Sequence, residues 1–530
     1  RDTTLWSTDD LVQSAIADRL GWLDAPGHFT EQVGELQAFG DGIRDAGFTT
    51  AVVMGMGGSS LAPDVFRRVF GTAPGYLDLR ILDSTDPAAV AATVDDLDPL
   101  QTLWIVASKS GTTTEPRAFQ DDAWTRVEAA LERAGSDQQP GDFFAAITDP
   151  GRSVDAIAHH DDLRERFLNP PDIGGRYSAL TYVGLVPASL IGLDLASLLA
   201  AGTSMLDACR DPEPNANPGL QLGLALGTLA RNGRDKLTLL TDESVRSLGA
   251  WLEQLLAEST GKHGVGIVPV DLEPARDLGG YGQDRVFASI RVAGGERPAM
   301  LDALARLGHP VIDIELDDPI DVAGEMVRWE IATAFAGAVL GIDAFDQPNV
   351  EEAKELTRRV LASAGERPGP ADVAIDPAPG LDVALIGEDG LTNAIRRAFG
   401  SARPPTYIAI QAFIAPSAAR DAAIERIRTS LGTTGCATTA GYGPRFLHST
   451  GQLHKGGPPT GAFLQLTSAH EPDRPIPGWP YTFGQLIDAQ ARGDREAIAS
   501  HDRPIVHVRL GVDVDADLAI LERAITRALA

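Results

Sequence analysis

Short apolar runs alternate with stretches of helical periodicity along most of the chain. Over residues 9–46 the apolar positions recur at helical spacing with few breakers, which predicts helix. Runs at 51–54, 79–82, 103–107 and 143–147 then read as strands, most of them followed closely by Gly, Ser, Thr or Asp. Strands that alternate with helices predict a parallel sheet covered on both faces. The same logic returns at 236–240, 266–270, 286–292 and 311–315, predicting a second parallel sheet. No literal sequence repeat accompanies it, so the duplication is one of architecture.

A Pro-rich segment at 366–379 (RPGPADVAIDPAP at its heart) reads as a linker. Beyond it, runs at 383–386, 407–413, 462–466 and 506–510 predict a third, less regular α/β unit. The apolar stretch 179–202 is interrupted by Pro187 and Asp194 and has no companion span, so it reads as a buried core helix rather than a membrane crossing.

Length and charge narrow the classes of function. A chain of 530 residues is too long for one ordinary core, so two or three domains are expected. Its 45 Lys and Arg against 74 Asp and Glu leave a net charge of −29. That charge disfavours nucleic acid and anionic membranes as partners. It also repels a phosphorylated ligand at long range, so any phosphate site must be built locally from backbone N–H groups, hydroxyls and a few cations. The two cysteines, Cys209 and Cys436, form neither a metal-ligand spacing nor a disulfide framework, which fits a reducing cytoplasm.

Two segments carry candidate chemistry. Met54-Gly55-Met56-Gly57-Gly58-Ser59-Ser60 follows a predicted strand and precedes a helical pattern. Glycines there let the backbone approach a ligand, and the helix start offers unpaired N–H groups, although a tight turn alone would use the same residues. Ser108-Lys109-Ser110-Gly111-Thr112-Thr113-Thr114 sets five hydroxyls around one ammonium at the end of another strand, where open α/β sheets bind ligands.

GMGGSSLAP (55–63) and SKSGTTTEP (108–116) resemble the sugar-phosphate loops of the glucose-6-phosphate isomerase family. Gly174-Gly175-Arg176-Tyr177-Ser178 is similar to its GGR[FY]S segment, Glu258-Ser259-Thr260-Gly261-Lys262 to its E-S-x-G-K segment, and Phe345-Asp346-Gln347 with Lys354 to its F-D-Q…K segment. The tail RFLHSTGQLHKGG (445–457) resembles the isomerase half of bifunctional transaldolase/glucose-6-phosphate isomerases, and a chain opening on Arg1 rather than Met suits a piece of such a fusion. The resemblance implies two doubly wound, sugar-isomerase (SIS-like) α/β domains, at 1–205 and 206–362, with a smaller α/β unit at 363–530. It implies interconversion of glucose 6-phosphate and fructose 6-phosphate without cofactor or metal, a homodimer, and covalent fusion to a transaldolase domain.

The resemblance also implies roles. Glu258 is the base that moves a proton between C1 and C2, and Arg176 steadies the enediolate. Lys354 and a histidine open the ring. Gly58, Ser59, Ser108, Lys109, Ser110 and Thr113 hold phosphate, and Gln254 and Gln347 contact substrate. Read from pattern alone, Glu258 would be a surface residue paired with Lys262 at i,i+4. Arg176 would be a structural ion-pair partner, and Lys354 an exposed helix lysine. The family's G-T-N-x-Q-H histidine has no counterpart at Gly280-Tyr281-Gly282-Gln283-Asp284-Arg285. His448, His263 and Asp284 remain as candidates, His448 being favoured for its Gly-rich surroundings. Thr260 is expected near C2, which leaves mannose 6-phosphate open as a further substrate. A non-catalytic sugar-phosphate sensor is the reading from another class, and Glu258, Arg176 and Lys354 together argue against it.

Overall fold

The computed structural model describes residues 1–364 and 381–530, so the linker predicted at 366–379 lies outside the described residues. The first sheet is built from β1 (Thr50–Gly55), β2 (Asp78–Leu82), β3 (Thr102–Ala107), β4 (Phe144–Thr148) and β5 (Glu165–Leu168). Its order is β2-β1-β3-β4-β5, with every neighbouring pair parallel. Strands β1, β3 and β4 are buried at every position, as unbroken apolar runs require when helices cover both faces.

The second sheet, β6 (Lys236–Thr241), β7 (Val268–Val270), β8 (Arg285–Val292) and β9 (Val311–Leu316), has the order β7-β6-β8-β9 and is again parallel. One apolar cluster joins the first two sheets, running from Ile16 and Val53 to Leu239 and Trp329. At its centre the helix Val322–Leu340 packs against helices Leu195–Ala208, Pro218–Arg231 and Leu248–Thr260. Each large apolar side chain that this helix buries, such as Met326 or Trp329, contributes roughly 1.5–3 kcal/mol. The expected boundaries after 205 and 362 fall inside helices Leu195–Ala208 and Pro348–Ala364.

The third sheet comprises β10 (Leu381–Asp382), β11 (Tyr407–Phe413), β12 (Ala437–Tyr442), β13 (Gly461–Thr467) and β14 (Ile505–Arg509). It is ordered β10-β14-β13-β11-β12 and is also parallel. It has its own apolar core. A smaller cluster of Ala257, Val268, Tyr407, Ala437, Leu453 and Phe463 fastens it to the second sheet.

Three expectations change here. The strand expected at 383–386 is a helical turn at the head of Val383–Phe399, set off from the rest by a kink at Gly387 (φ +59°), because Asp382 accepts hydrogen bonds from the N–H groups of Ala384 and Leu385 and caps a helical turn instead. The single core helix expected within 179–202 is two, Tyr182–Leu190 and Leu195–Ala208. Gly192 at φ +75° and the Asp194 cap separate them. Strands β5 and β12 lie outside the runs singled out above. The first is an exposed edge strand and the second is Thr-rich and half-exposed at its end, so neither has an apolar signature. Among the described residues no helix is long and apolar enough to cross a membrane.

Candidate active site

Strands β1 and β3 are neighbours with Gly55 opposite Ala107, so the turns that follow them leave the same edge of the sheet side by side. That edge, at the carboxyl ends of parallel strands, is where this class of sheet receives ligands. The first turn leads into helix Gly58–Phe70 and the second into helix Thr114–Ala134. No side chain caps either start. In the first helix the Ser59 and Ser60 N–H groups already donate to the Met56 and Gly57 carbonyls, and in the second Pro116 has no N–H, so an anion would be met mainly by the N–H groups of Gly58, Thr114 and Glu115. Ser59 is half-buried in the first turn of its helix. Ser108 is buried and donates to Thr113 Oγ1 at 3.2 Å, while Ser110 and Thr112 share a 2.9 Å hydroxyl contact at the exposed rim.

The first turn needs its glycines because other backbone crowds it. Gly57 has φ +55°, and a Cβ there would come within 2.6 Å of the His448 carbonyl oxygen and 2.8 Å of Gln254 Nε2. A Cβ on Gly58 would collide with the Gly175 carbonyl. The phosphate-loop candidate, the GGRYS turn and the His448 loop therefore meet at one place.

Glu258 faces that place from helix Leu248–Thr260. Gln254, one turn earlier on the same face, donates from Nε2 to Glu258 Oε2 at 3.0 Å and to the His448 carbonyl at 2.7 Å. Arg176 Nη1 lies 3.2 Å from Glu258 Oε1, with the arginine side chain 2% exposed and the glutamate 11%. The rest of the guanidinium is fixed by donation to Ser259 Oγ (2.7 Å), Gln347 Oε1 (3.1 Å), and the carbonyls of Ala344 (2.8 Å) and Asp346 (3.0 Å). This overturns the surface Glu258–Lys262 pair. Lys262 is buried and donates to the Asp343 and Asp346 carbonyls and to Asp346 Oδ1, each at 2.6 Å. Burial, helped by the Arg176 charge and opposed by Asp346, pushes the Lys262 amine down to about 8.

His448 comes from the loop after β12 of the same chain, so this chain's own third unit delivers it to the site. Its Nε2 lies 3.0 Å from Glu115 Oε1, and Glu115 sits in the first turn of the helix that follows the hydroxyl loop. Burial works to raise the Glu115 pKa. The His448 charge and hydrogen bond outweigh it, with Lys354 adding, and hold the carboxyl below its ordinary range. Of the other two candidates, His263 is exposed in the turn after the Glu258 helix. Asp284 is buried at the opposite, amino-terminal edge of β8, 3.7 Å from Lys236 Nζ.

This arrangement fits a match over residues 24–271 to the family described as phosphoglucose isomerase. A glucose-6-phosphate isomerase of Rubrobacter xylanophilus is 29% identical over 375 residues, covering 61% of this chain and 85% of that one. A probable glucose-6-phosphate isomerase of Natronomonas pharaonis is 30% identical over 367 residues, covering 61% of this chain and 82% of that one. The chain belongs to the glucose-6-phosphate isomerase family. The fold agrees: the structure of a glucose-6-phosphate isomerase from Chlamydia trachomatis superposes with a TM-score of 0.51 at 22% identity, over 69% of this chain and 78% of that one.

Within that family frame, some expected residues are placed otherwise than expected. Lys109 is tied to the Asp149 carboxylate and to the Pro171 carbonyl at 2.9 Å, so its ammonium is already paired. Thr260 is fully buried, donating to the Leu256 carbonyl and accepting from the Ile267 N–H, so its hydroxyl is already occupied within the protein. Lys354 is 40% exposed and pairs with Glu351 at 2.8 Å. Its charge reaches Glu115, the partner of His448.

Glu115, next to last in the SKSGTTTEP segment, is a residue of the site that the motif pattern alone does not mark out. Gln452 was missed too: it donates to the Gly261 carbonyl at 2.9 Å and accepts from the Asn349 N–H at 2.8 Å, tying the His448 segment to both the base helix and the segment after Gln347. The signal for Glu115 was its place in the first helical turn beside an anion loop, where a second negative charge needs a cationic or donor partner.

Proposed function

We propose that this chain interconverts glucose 6-phosphate and fructose 6-phosphate, with Glu258 as the base that shuttles the proton between C2 and C1. The observation that carries this reading is the Glu258 carboxylate held 3.2 Å from the Arg176 guanidinium beside the Gly57–Gly58 turn. A carboxylate over adjacent carbons with a fixed cation beside the developing charge is what an enediol mechanism requires.

The phosphate rests on the two uncapped helix starts, with Gly58, Ser59, Ser108, Ser110 and Thr113 around it. His448 and Lys354 open the ring. One accepts the O1 hydroxyl proton while the other donates a proton to O5 as the C1–O5 bond breaks. Glu258 then takes the C2 proton, and the electron pair moves onto the carbonyl oxygen O1 to give an enediolate beside Arg176. The proton on Glu258 returns to C1 while the O2 proton passes to O1, and C2 becomes the ketone. No electrons leave the substrate, so the reaction calls for no redox cofactor. Gln254 and Gln347, which hold Glu258 and Arg176, keep the two charges in register with the sugar.

The division into two sugar-isomerase units and a C-terminal unit belongs to the same proposal. So do homodimerisation, fusion to a transaldolase domain and a cytoplasmic setting, which rest on the family resemblance and on the cysteine usage. Steady-state assay of the purified chain tests the reading. Glu258→Gln should still bind glucose 6-phosphate but lose about 10²–10⁴-fold in turnover. Turnover near that of the unaltered chain would remove Glu258 from the role of base.

A further inference from the structure

The His448–Glu115 contact continues into a buried chain of side chains that none of the sequence motifs contains. Gln490, on helix Phe483–Ser500 of the third unit, donates from Nε2 to Glu115 Oε1 at 2.6 Å. Its own Oε1 accepts from the Thr85 hydroxyl at 2.7 Å. Thr85 is fully buried in the first unit just beyond β2, and Gln490 and Glu115 are buried to within a few per cent.

The chemistry of the groups fixes their orientation. A threonine hydroxyl that donates to the Gln490 oxygen turns the amide nitrogen toward Glu115. Glu115 Oε1 then receives one N–H from Gln490, and as an acceptor it pairs with a protonated Nε2 on His448. The remaining ring nitrogen, Nδ1, is left for other work. A histidine whose one nitrogen is held by a carboxylate has its tautomer set by that partner.

We propose that Gln490 is a positioning residue for ring opening: locked by Thr85, it holds Glu115 as an acceptor and so fixes His448 with Nε2 protonated and Nδ1 free. The inference rests on the proposed ring-opening role of His448. It also gives the third unit a second part in the site, since that unit supplies both His448 and the residue that steadies its partner. Other ionisable groups surround the pair. Lys354 and Glu351 act from helix Pro348–Ala364, and Tyr481 acts from the loop before the Gln490 helix.

Ring opening and reclosure interconvert the α and β anomers of glucose 6-phosphate, so exchange NMR reads this step through α–β cross-peaks, separately from the glucose–fructose cross-peaks. In Gln490→Leu the α–β exchange should slow by about tenfold or more, less than the roughly 10²–10⁴-fold that a positioned acid–base group itself supplies. Thr85→Val should slow it less. Gln490→Glu sets two carboxyls side by side that share a proton only in acid. Its exchange should approach the unaltered rate at low pH and fall as pH rises, a dependence that a mere packing defect would not produce. If Gln490→Leu is poorly folded by its thermal melt, Gln490→Glu and Thr85→Val carry the test.

Exchange within twofold of the unaltered chain in Gln490→Leu, or a flat pH profile in Gln490→Glu, would overturn the inference. His448→Ala separates the two levels. If it leaves α–β exchange intact, the ring-opening role of His448 fails and the Gln490 inference falls with it. If His448→Ala abolishes exchange while the Gln490 variants do not, only the Gln490 inference is wrong.

Discussion

Glu258 Oε1 and Arg176 Nη1 lie 3.2 Å apart, and they arrive from elements 82 positions apart in the chain: a short turn after the first sheet and the helix that crosses the second. The arginine is held by four further acceptors and the glutamate by Gln254, so neither charge can drift from the other without breaking several hydrogen bonds. A pair so fixed presents its field to a substrate without reorganising.

Arg176→Lys keeps the charge and loses the fork. One ammonium cannot serve Ser259, Gln347, Ala344, Asp346 and Glu258 at once. We expect kcat/KM to fall by roughly 10²–10³-fold. Stripped buried acceptors should also cost about 1–3 kcal/mol each where they are left unmet. Kinetics with a thermal melt on the same sample checks both. Unchanged kcat/KM would show that Arg176 is structural alone.

Gly58→Ala tests whether the anion turn and the GGRYS turn must touch. The new methyl would collide with the Gly175 carbonyl and push the two apart. Overpacking of this kind costs about 1–3 kcal/mol, and KM for the sugar phosphate should rise more than kcat falls. Gly34→Ala is the control, since nothing lies within 4 Å of a Cβ there. It sits in helix Val33–Asp45 and should be neutral to slightly stabilising. A normal KM in Gly58→Ala would separate the turn from substrate binding.

Much of this site could be read along the chain. Unbroken apolar runs such as 103–107 become strands buried on both faces, and the residues just past them form the anion-binding edge. What local pattern missed was set by tertiary partners. Lys109 reads as an unpaired cation until Asp149, on the neighbouring strand end, pairs with its ammonium. Thr260 looks free until the Leu256 carbonyl and the Ile267 N–H occupy its hydroxyl. The 383–386 run is apolar enough for a strand, but one capping aspartate ahead of it decides for helix. Glu115 and His448 are 333 positions apart, and nothing in either neighbourhood announces the other.

Glu253, the residue before Gln254, predicts a pH dependence of stability. It lines a small cavity with Tyr442, Arg445 and Ser449 between the base helix and the third unit. Burial pushes its carboxyl up to about 8, with Asp271 adding and Arg428 and Arg445 opposing. Below the ordinary value of 4.5 both folded and unfolded chains hold the proton. As pH rises from there toward about 8, the unfolded chain loses the proton while the folded chain keeps it, so this group lowers stability progressively. Above that range the full penalty is present. Gln cannot ionise, so the advantage of Glu253→Gln over the unaltered chain should grow from pH 5 to pH 8 and then level off. Denaturant unfolding of both chains across that range checks it, and a constant difference would contradict the shift.

Proton transfer itself gives the most direct test that Glu258 is the base. In deuterium oxide, a base that exchanges with solvent between removal and return of the proton places deuterium at C2 of glucose 6-phosphate and C1 of fructose 6-phosphate, and NMR reads both positions. The unaltered chain should label both carbons during turnover. Glu258→Gln should bind the sugar phosphate and leave both carbons protonated over the same period. Labelling by Glu258→Gln at the unaltered rate would mean that another group moves the proton, and the central assignment would be wrong.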